Sequence, residues 1–94
     1  MALLTPEELS DAMEGLDGWT VVDGQLEKEL TCPDFRAAVA WVVRAAFEAE
    51  AANHHPDIDI RYRRVRLRLS THSEGGLTAK DIELARALDG LATG

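Results

Sequence analysis

After His54-His55-Pro56 the rhythm of the apolar side chains changes, and that change restricts the fold more than any other feature of the sequence. Upstream, apolar residues recur every three or four positions, the spacing that gives a helix an apolar face. Downstream, Ile58, Ile60 and Tyr62 alternate with polar residues, as in a strand whose successive side chains point to opposite faces. Val65, Leu67 and Leu69 then alternate in the opposite parity. A strand cannot change parity without a tight turn or a bulge, and we favour a hairpin turning at Arg63-Arg64. The chain must therefore join a long helix to an antiparallel strand pair through a His-His-Pro corner.

The upstream helix opens at Pro33 and Asp34 and runs to about Ala52. At about 100° per residue, Phe35, Val39, Val42, Val43, Ala46 and Phe47 share one broad apolar face, and the polar stripe with Arg44 and Glu48 is narrow. Such a helix is expected to be central and buried on most sides. Glu50 falls at the edge of the apolar face, where it either snorkels outward or faces a polar pocket at the helix end.

Toward the N-terminus, Thr5-Pro6-Glu7-Glu8 marks another helix start, with Thr5 as cap, Pro6 at the first position and Glu8 completing a capping box. Leu9, Met13 and Leu16 supply its apolar stripe, and Gly15 and Gly18 end it. Residues 19–22 and 25–31 read as strands joined by a tight Asp23-Gly24 turn. Leu26 and Leu30 share one face of the second strand, and Gln25, Glu27 and Glu29 the other. Glu74-Gly75-Gly76 is a loop, after which Thr78, with Asp81 three residues on, begins a last helix carrying Ile82, Leu84, Ala85 and Leu88 inward.

This order predicts an α+β fold over residues 1–94 as one domain: a two-layer arrangement, α-β-β-α-β-β-α, with a four-stranded antiparallel sheet and three helices on one face. A length of 94 residues suits one modest core. Arg61, Arg63, Arg64, Arg66 and Arg68 form either a local basic patch or a solvated strand face, and we favour the second, with Glu27 and Glu29 pairing to the arginines. A net charge of −7 argues against nucleic acid as a direct partner. No apolar run approaches the roughly 20 residues of a membrane span, and the early acidic residues do not suit a signal peptide. Cys32, the only cysteine, fits a reducing compartment, so we expect a cytoplasmic protein. An uncovered sheet face and free edge strands predict a homo-oligomer, a homodimer or a homotetramer.

All three histidines lie at expected element ends. If the C-terminal strands form a hairpin, His54 and His55, which precede one strand, meet His72, which follows the other. Imidazole exchanges protons near neutral pH, and two or three in one pocket can divide the roles of acid and base, as an elimination of water requires. Spacing alone explains His54-His55-Pro56 slightly better as a helix-terminating corner. Zinc is a third reading, but adjacent histidines rarely direct both rings at one ion, and we expect no metal. Asp81 is explained by its place in the capping box.

The wider pattern resembles the pterin-4a-carbinolamine dehydratase family. Glu50-Ala51-Ala52-Asn53-His54-His55-Pro56, then Tyr62, Ser70-Thr71-His72, and Gly76-Leu77-Thr78 leading to Asp81 carry the resemblance, which extends more weakly through Gly18-Trp19 and the long helix. Ile58 stands where many members have an aromatic residue. The resemblance implies a four-stranded antiparallel sheet with helices on one face. It implies a metal-free, cofactor-free hydro-lyase that removes water from 4a-hydroxytetrahydropterin, giving quinonoid dihydropterin for recycling after aromatic amino acid hydroxylation. By position, Asn53, His54 and His55 would line the pterin on one side, and Ser70, Thr71, His72 and Ser73 on the other. His54 and His72 would form the acid–base pair, with His55 assisting, Asp81 orienting a histidine and Glu50 behind them. An aromatic amino acid hydroxylase is the implied pathway partner. The family also includes a transcription-factor partner and dehydratase-like proteins used in enzyme assembly, so a binding or regulatory role is the competing reading.

Overall fold

The computed structural model describes residues 2–93. Three helices and four strands follow in the expected order: α1 (Pro6–Met13), β1 (Thr20–Val22), β2 (Gln25–Thr31), α2 (Phe35–Ala52), β3 (Asp57–Arg61), β4 (Arg64–Leu69) and α3 (Ala79–Asp89), with a 3-10 turn, His72–Glu74, before α3. The sheet is antiparallel throughout, in the order β1-β2-β4-β3. Its hairpins are set by local chemistry. Asp23 and Gly24 both take positive φ in the first turn, the backbone that Asp-Gly tolerates best. In the second, Arg61 pairs with Arg64, so the parity change is a two-residue turn through Tyr62 and Arg63. Tyr62 therefore leaves the strand alternation assigned to it: it sits in the turn at φ 55°, and 70% of it is exposed.

One face of the sheet is apolar and covered. Leu26, Val65, Leu67 and Leu69 are buried against Ala38, Trp41, Ala45 and Ala49 of α2 and Ile82, Leu84, Ala85 and Leu88 of α3. Leu9, Ala12 and Met13 pack against this cluster from α1. Leu16 lies beyond α1 rather than on it, but is buried. The opposite face is charged. Arg68 donates to Glu27 at 2.8 Å and Arg66 to Glu29 at 3.1 Å, across the register that sets Glu27 beside Arg68 and Glu29 beside Arg66.

The long helix turns a different face inward from the one expected. Phe35, Val39, Val43 and Phe47 remain 38–72% exposed, and Ala46 is exposed too. Side-chain size explains the choice. Alanines at 38, 45 and 49 let the helix axis approach the sheet, and Trp41 fills the remaining space. The bulkier residues are left as an uncovered apolar stripe.

Candidate active site

The corner between α2 and β3 separates two adjacent histidines. Asn53 adopts φ 48° and ψ 45°, the left-handed conformation that a short amide side chain tolerates better than most. That reversal lets the His54 N–H donate back to the Ala49 carbonyl at 3.0 Å, closing the helix end. Asn53, expected beside the pterin, is thus first a backbone device, and it is exposed. The next two side chains diverge: His54 is buried, and His55 is exposed.

The imidazole of His54 meets Asp81, with 2.5 Å between Nε2 and Oδ1. Asp81 is fully buried at the third position of α3, in a capping box behind Thr78. Its Oδ2 accepts from the Thr78 backbone N–H at 2.9 Å and from the Thr71 hydroxyl at 2.8 Å. The capping that the sequence indicated for Asp81 and the histidine contact that the resemblance implied fall on different oxygens of one carboxylate. A carboxylate oxygen only accepts, so against an Asp81 carboxylate the proton of the pair lies on Nε2 of His54. In a neutral imidazole Nδ1 then keeps the lone pair. No protein hydrogen bond reaches Nδ1 among the described residues.

His55 repeats the pairing at the surface. Its Nε2 lies 2.7 Å from Oε1 of Glu50, with the two side chains 60% and 78% exposed. Glu50 thus lies outward near the end of α2 and engages the site through His55. The two histidines direct Nε2 to different carboxylates, and among the described residues no cluster of His, Cys, Asp and Glu could hold a metal ion. A groove of about 450 Å³ runs beside His55, walled by Val43, Phe47, Pro56 and Ile58.

The third histidine reaches the same end of the sheet by register. Asp57, just after the corner, pairs with Arg68, so β4 delivers Ser70, Thr71 and His72 beside residues 54–56. Thr71 N donates to Gly76 O at 2.8 Å, and this bridge closes a small loop that holds His72 and Ser73, both exposed. Ser70 is half-buried. Thr71 is buried, with its hydroxyl directed at Asp81 and Thr78 rather than outward. The family resemblance implied a place for Thr71 against substrate, and the sequence itself barely signalled this internal role. Its only hint was a second threonine, Thr78, at the cap of the helix that follows.

The end of the sheet thus gathers a buried, carboxylate-held imidazole, a second imidazole on a short loop and a third at the rim. Proton donors and acceptors placed this way suit general acid–base chemistry. Comparison with known proteins finds relatives along nearly the whole chain. Residues 2–91 match the family model described as pterin 4 alpha carbinolamine dehydratase. A Roseiflexus castenholzii protein named for the pterin-4-alpha-carbinolamine dehydratases is 51% identical over 88 residues, covering 94% of this chain and 95% of that one. A Mycobacterium avium protein named likewise is 46% identical over 91 residues, covering 97% of each. The crystal structure of a transcriptional coactivator/pterin dehydratase from Brucella melitensis superposes with a TM-score of 0.88 at 38% identity, over 93% of this chain and 95% of that one. A pterin dehydratase-like protein described as a RuBisCO assembly factor of the alpha-carboxysome shares the fold, with a TM-score of 0.61 at 18% identity, over 79% of this chain and 89% of that one.

Proposed function

The chain belongs to the pterin 4 alpha carbinolamine dehydratase family, and from that premise we propose that it removes water from a 4a-hydroxytetrahydropterin by histidine acid–base catalysis. The observation that carries the reading is the buried His54–Asp81 pair, whose geometry commits Nε2 to the carboxylate and leaves Nδ1 without a protein hydrogen bond among the described residues. A carbinolamine has hydroxyl and amine on one carbon. As the carbon–oxygen bond breaks, the hydroxyl takes a proton and departs as water. The adjacent nitrogen loses its proton, and its electron pair forms the new carbon–nitrogen double bond. His54 Nδ1 is the acceptor in this scheme, and His72, exposed on its loop, is the donor. His55 assists at the rim. Pairs of this kind contribute roughly 10²–10⁴-fold. In the same reading the product, a quinonoid dihydropterin, is reduced before reuse, and the enzyme serves the pterin recycling that follows aromatic amino acid hydroxylation in the cytoplasm.

The purified protein is expected to accelerate dehydration of a chemically generated 4a-hydroxytetrahydropterin equally with and without a chelator. His72→Ala should lower the rate at least about tenfold with the fold intact. An unchanged rate would remove His72 from the mechanism.

The same reading includes self-association, as a homodimer or homotetramer. The exposed stripe of Phe35, Val39, Val43 and Phe47 supports it, because so large an apolar face on one helix is the mark of a contact surface. Arg36 and Glu50 stand seven residues to either side of Val43. An antiparallel pairing of two α2 helices about a twofold axis at Val43 would set each arginine against the other copy's glutamate. Val43→Glu should then lower the mass measured by light scattering. A variant whose mass matches the unaltered protein would place any association elsewhere.

The RuBisCO assembly factor that shares the fold and the uncovered face of α2 support a competing reading, a protein-binding role without chemistry. Co-purification of a stoichiometric protein partner, together with no dehydration activity, would favour it.

A further inference from the structure

The buried hydroxyls beneath the site form a chain with only one consistent direction. Thr78 Oγ1 already accepts from the Lys80 N–H at 3.3 Å, and its own proton has one acceptor within reach, Thr71 Oγ1 at 2.8 Å. Thr71 therefore accepts from Thr78 and donates to Asp81 Oδ2 at 2.8 Å. Asp81 accepts on both oxygens and fixes His54 at Nε2. The hydroxyl links run one way and end at the Asp81 carboxylate, which the His54 N–H meets from the other side, and each hydroxyl bond polarises the next.

Thr71 is also the residue from which the His72 loop springs. Its backbone N–H donates to Gly76 O at 2.8 Å, its carbonyl accepts from Glu74 N at 3.0 Å, and His72 follows directly as the first residue of the 3-10 turn. One buried residue, 7% exposed, thus holds the histidine loop through its backbone and the His54–Asp81 pair through its side chain.

We infer that Thr71 is a positioning residue that sets the ring of His54 through Asp81 and registers it against the His72 loop. This rests on the acid–base reading of His54 and His72, and it gives Thr71 a different role from contact with substrate. Without the hydroxyl, Asp81 Oδ2 loses one of its two donors and Thr78 loses its acceptor. The carboxylate is then free to turn, and the imidazole it holds turns with it. A residue that acts only in this way changes turnover and leaves substrate affinity alone.

The test compares Thr71→Val, which keeps shape and the backbone bridge, with Thr71→Ser, which keeps the hydroxyl. Thr71→Val should lower kcat at least about tenfold while KM stays within about twofold. Thr71→Ser should restore kcat to within about threefold. Nitrogen-15 NMR of labelled histidine supplies a readout independent of turnover: His54 should show the Nε2–H form in the unaltered protein and in Thr71→Ser, and a mixture of tautomers in Thr71→Val. If the dehydratase reading failed, no protein would turn over, yet the NMR comparison would still decide the role of Thr71. A raised KM with kcat unchanged, an unaltered His54 signature in Thr71→Val, or a loss in Thr71→Ser equal to that in Thr71→Val would overturn the inference. If Thr71→Val does not fold, Thr71→Cys takes its place. Its weak thiol donor should leave His54 with mixed tautomers, and retention of the Nε2–H form would overturn the inference as well.

Discussion

His54 and His55 are neighbours in sequence, each joined through Nε2 to a carboxylate at nearly the same distance, 2.5 and 2.7 Å, yet the two pairs are physically unlike. The His54–Asp81 side chains are 10% and 0% exposed, and those of His55–Glu50 are 60% and 78% exposed. In the interior, water cannot replace a lost partner, so each group depends on the others for its hydrogen bonds. At the surface, water competes for both members and screens their attraction. The same contact therefore fixes a tautomer in one place and does little more than bias a rotamer in the other. Distance alone does not measure what a histidine–carboxylate pair contributes.

Removing each carboxylate in turn breaks the comparison most sharply. Asp81→Ala strands the Thr71 hydroxyl, the Thr78 N–H and His54 Nε2 in the interior, and should cost about 3–5 kcal/mol in chemical denaturation. Glu50→Ala strands nothing that water cannot reach, and should change stability by no more than about 0.5 kcal/mol. Equal losses in the two variants would show that burial is not what distinguishes the pairs.

Removing each imidazole sharpens the same contrast on turnover. His54→Ala should lower kcat about 10²-fold or more, because no other imidazole in the arrangement is held by a buried carboxylate. His55→Ala should lower it about tenfold or less, since that ring is exposed and its carboxylate contact lies at the surface. A reversed order, measured on protein shown to be folded, would move the base to His55.

Much of this architecture was legible because it is written in local chemistry. Thr5 with Glu8 and Thr78 with Asp81 announced their helices through capping boxes that the structure contains. Asp23-Gly24 announced a hairpin, and the parity change at residues 62–64 announced the other. The inward face of α2 was not legible from hydrophobicity, which ranks Phe and Val above Ala. The deciding factor was how closely a helix can approach a sheet, and Ala38, Ala45 and Ala49 decide it. Tyr62 was misplaced for a related reason: alternation places a residue in a strand but does not say where the strand ends. That residues 54–55 and 72 lie at one end of the sheet was also readable, since strand order alone places the entry of β3 beside the exit of β4. Which of two adjacent histidines goes inside was not. That follows from the backbone reversal at Asn53 and from a carboxylate 27 residues further on, and neither leaves a periodic signal.

The smallest expected effect tests the surface pair most closely. Glu50→Gln keeps the length and an acceptor oxygen of the side chain and removes only the charge. If the His55–Glu50 contact acts as an orienting hydrogen bond, the substituted amide can still accept from Nε2, and the rate should fall no more than about threefold. If the charge is what matters, the loss should match that of Glu50→Ala and shrink as salt is raised, because the pair lies where ions screen it. A much larger loss, insensitive to salt, could not come from a pair this exposed in the single chain. It would require Glu50 to be covered, as it would be if a second copy packed along Val43 and Phe47 and brought its own Arg36 alongside. Repeating the Glu50→Gln measurement in the Val43→Glu background would then abolish the difference, linking the exposed stripe of α2 to the histidine beside it.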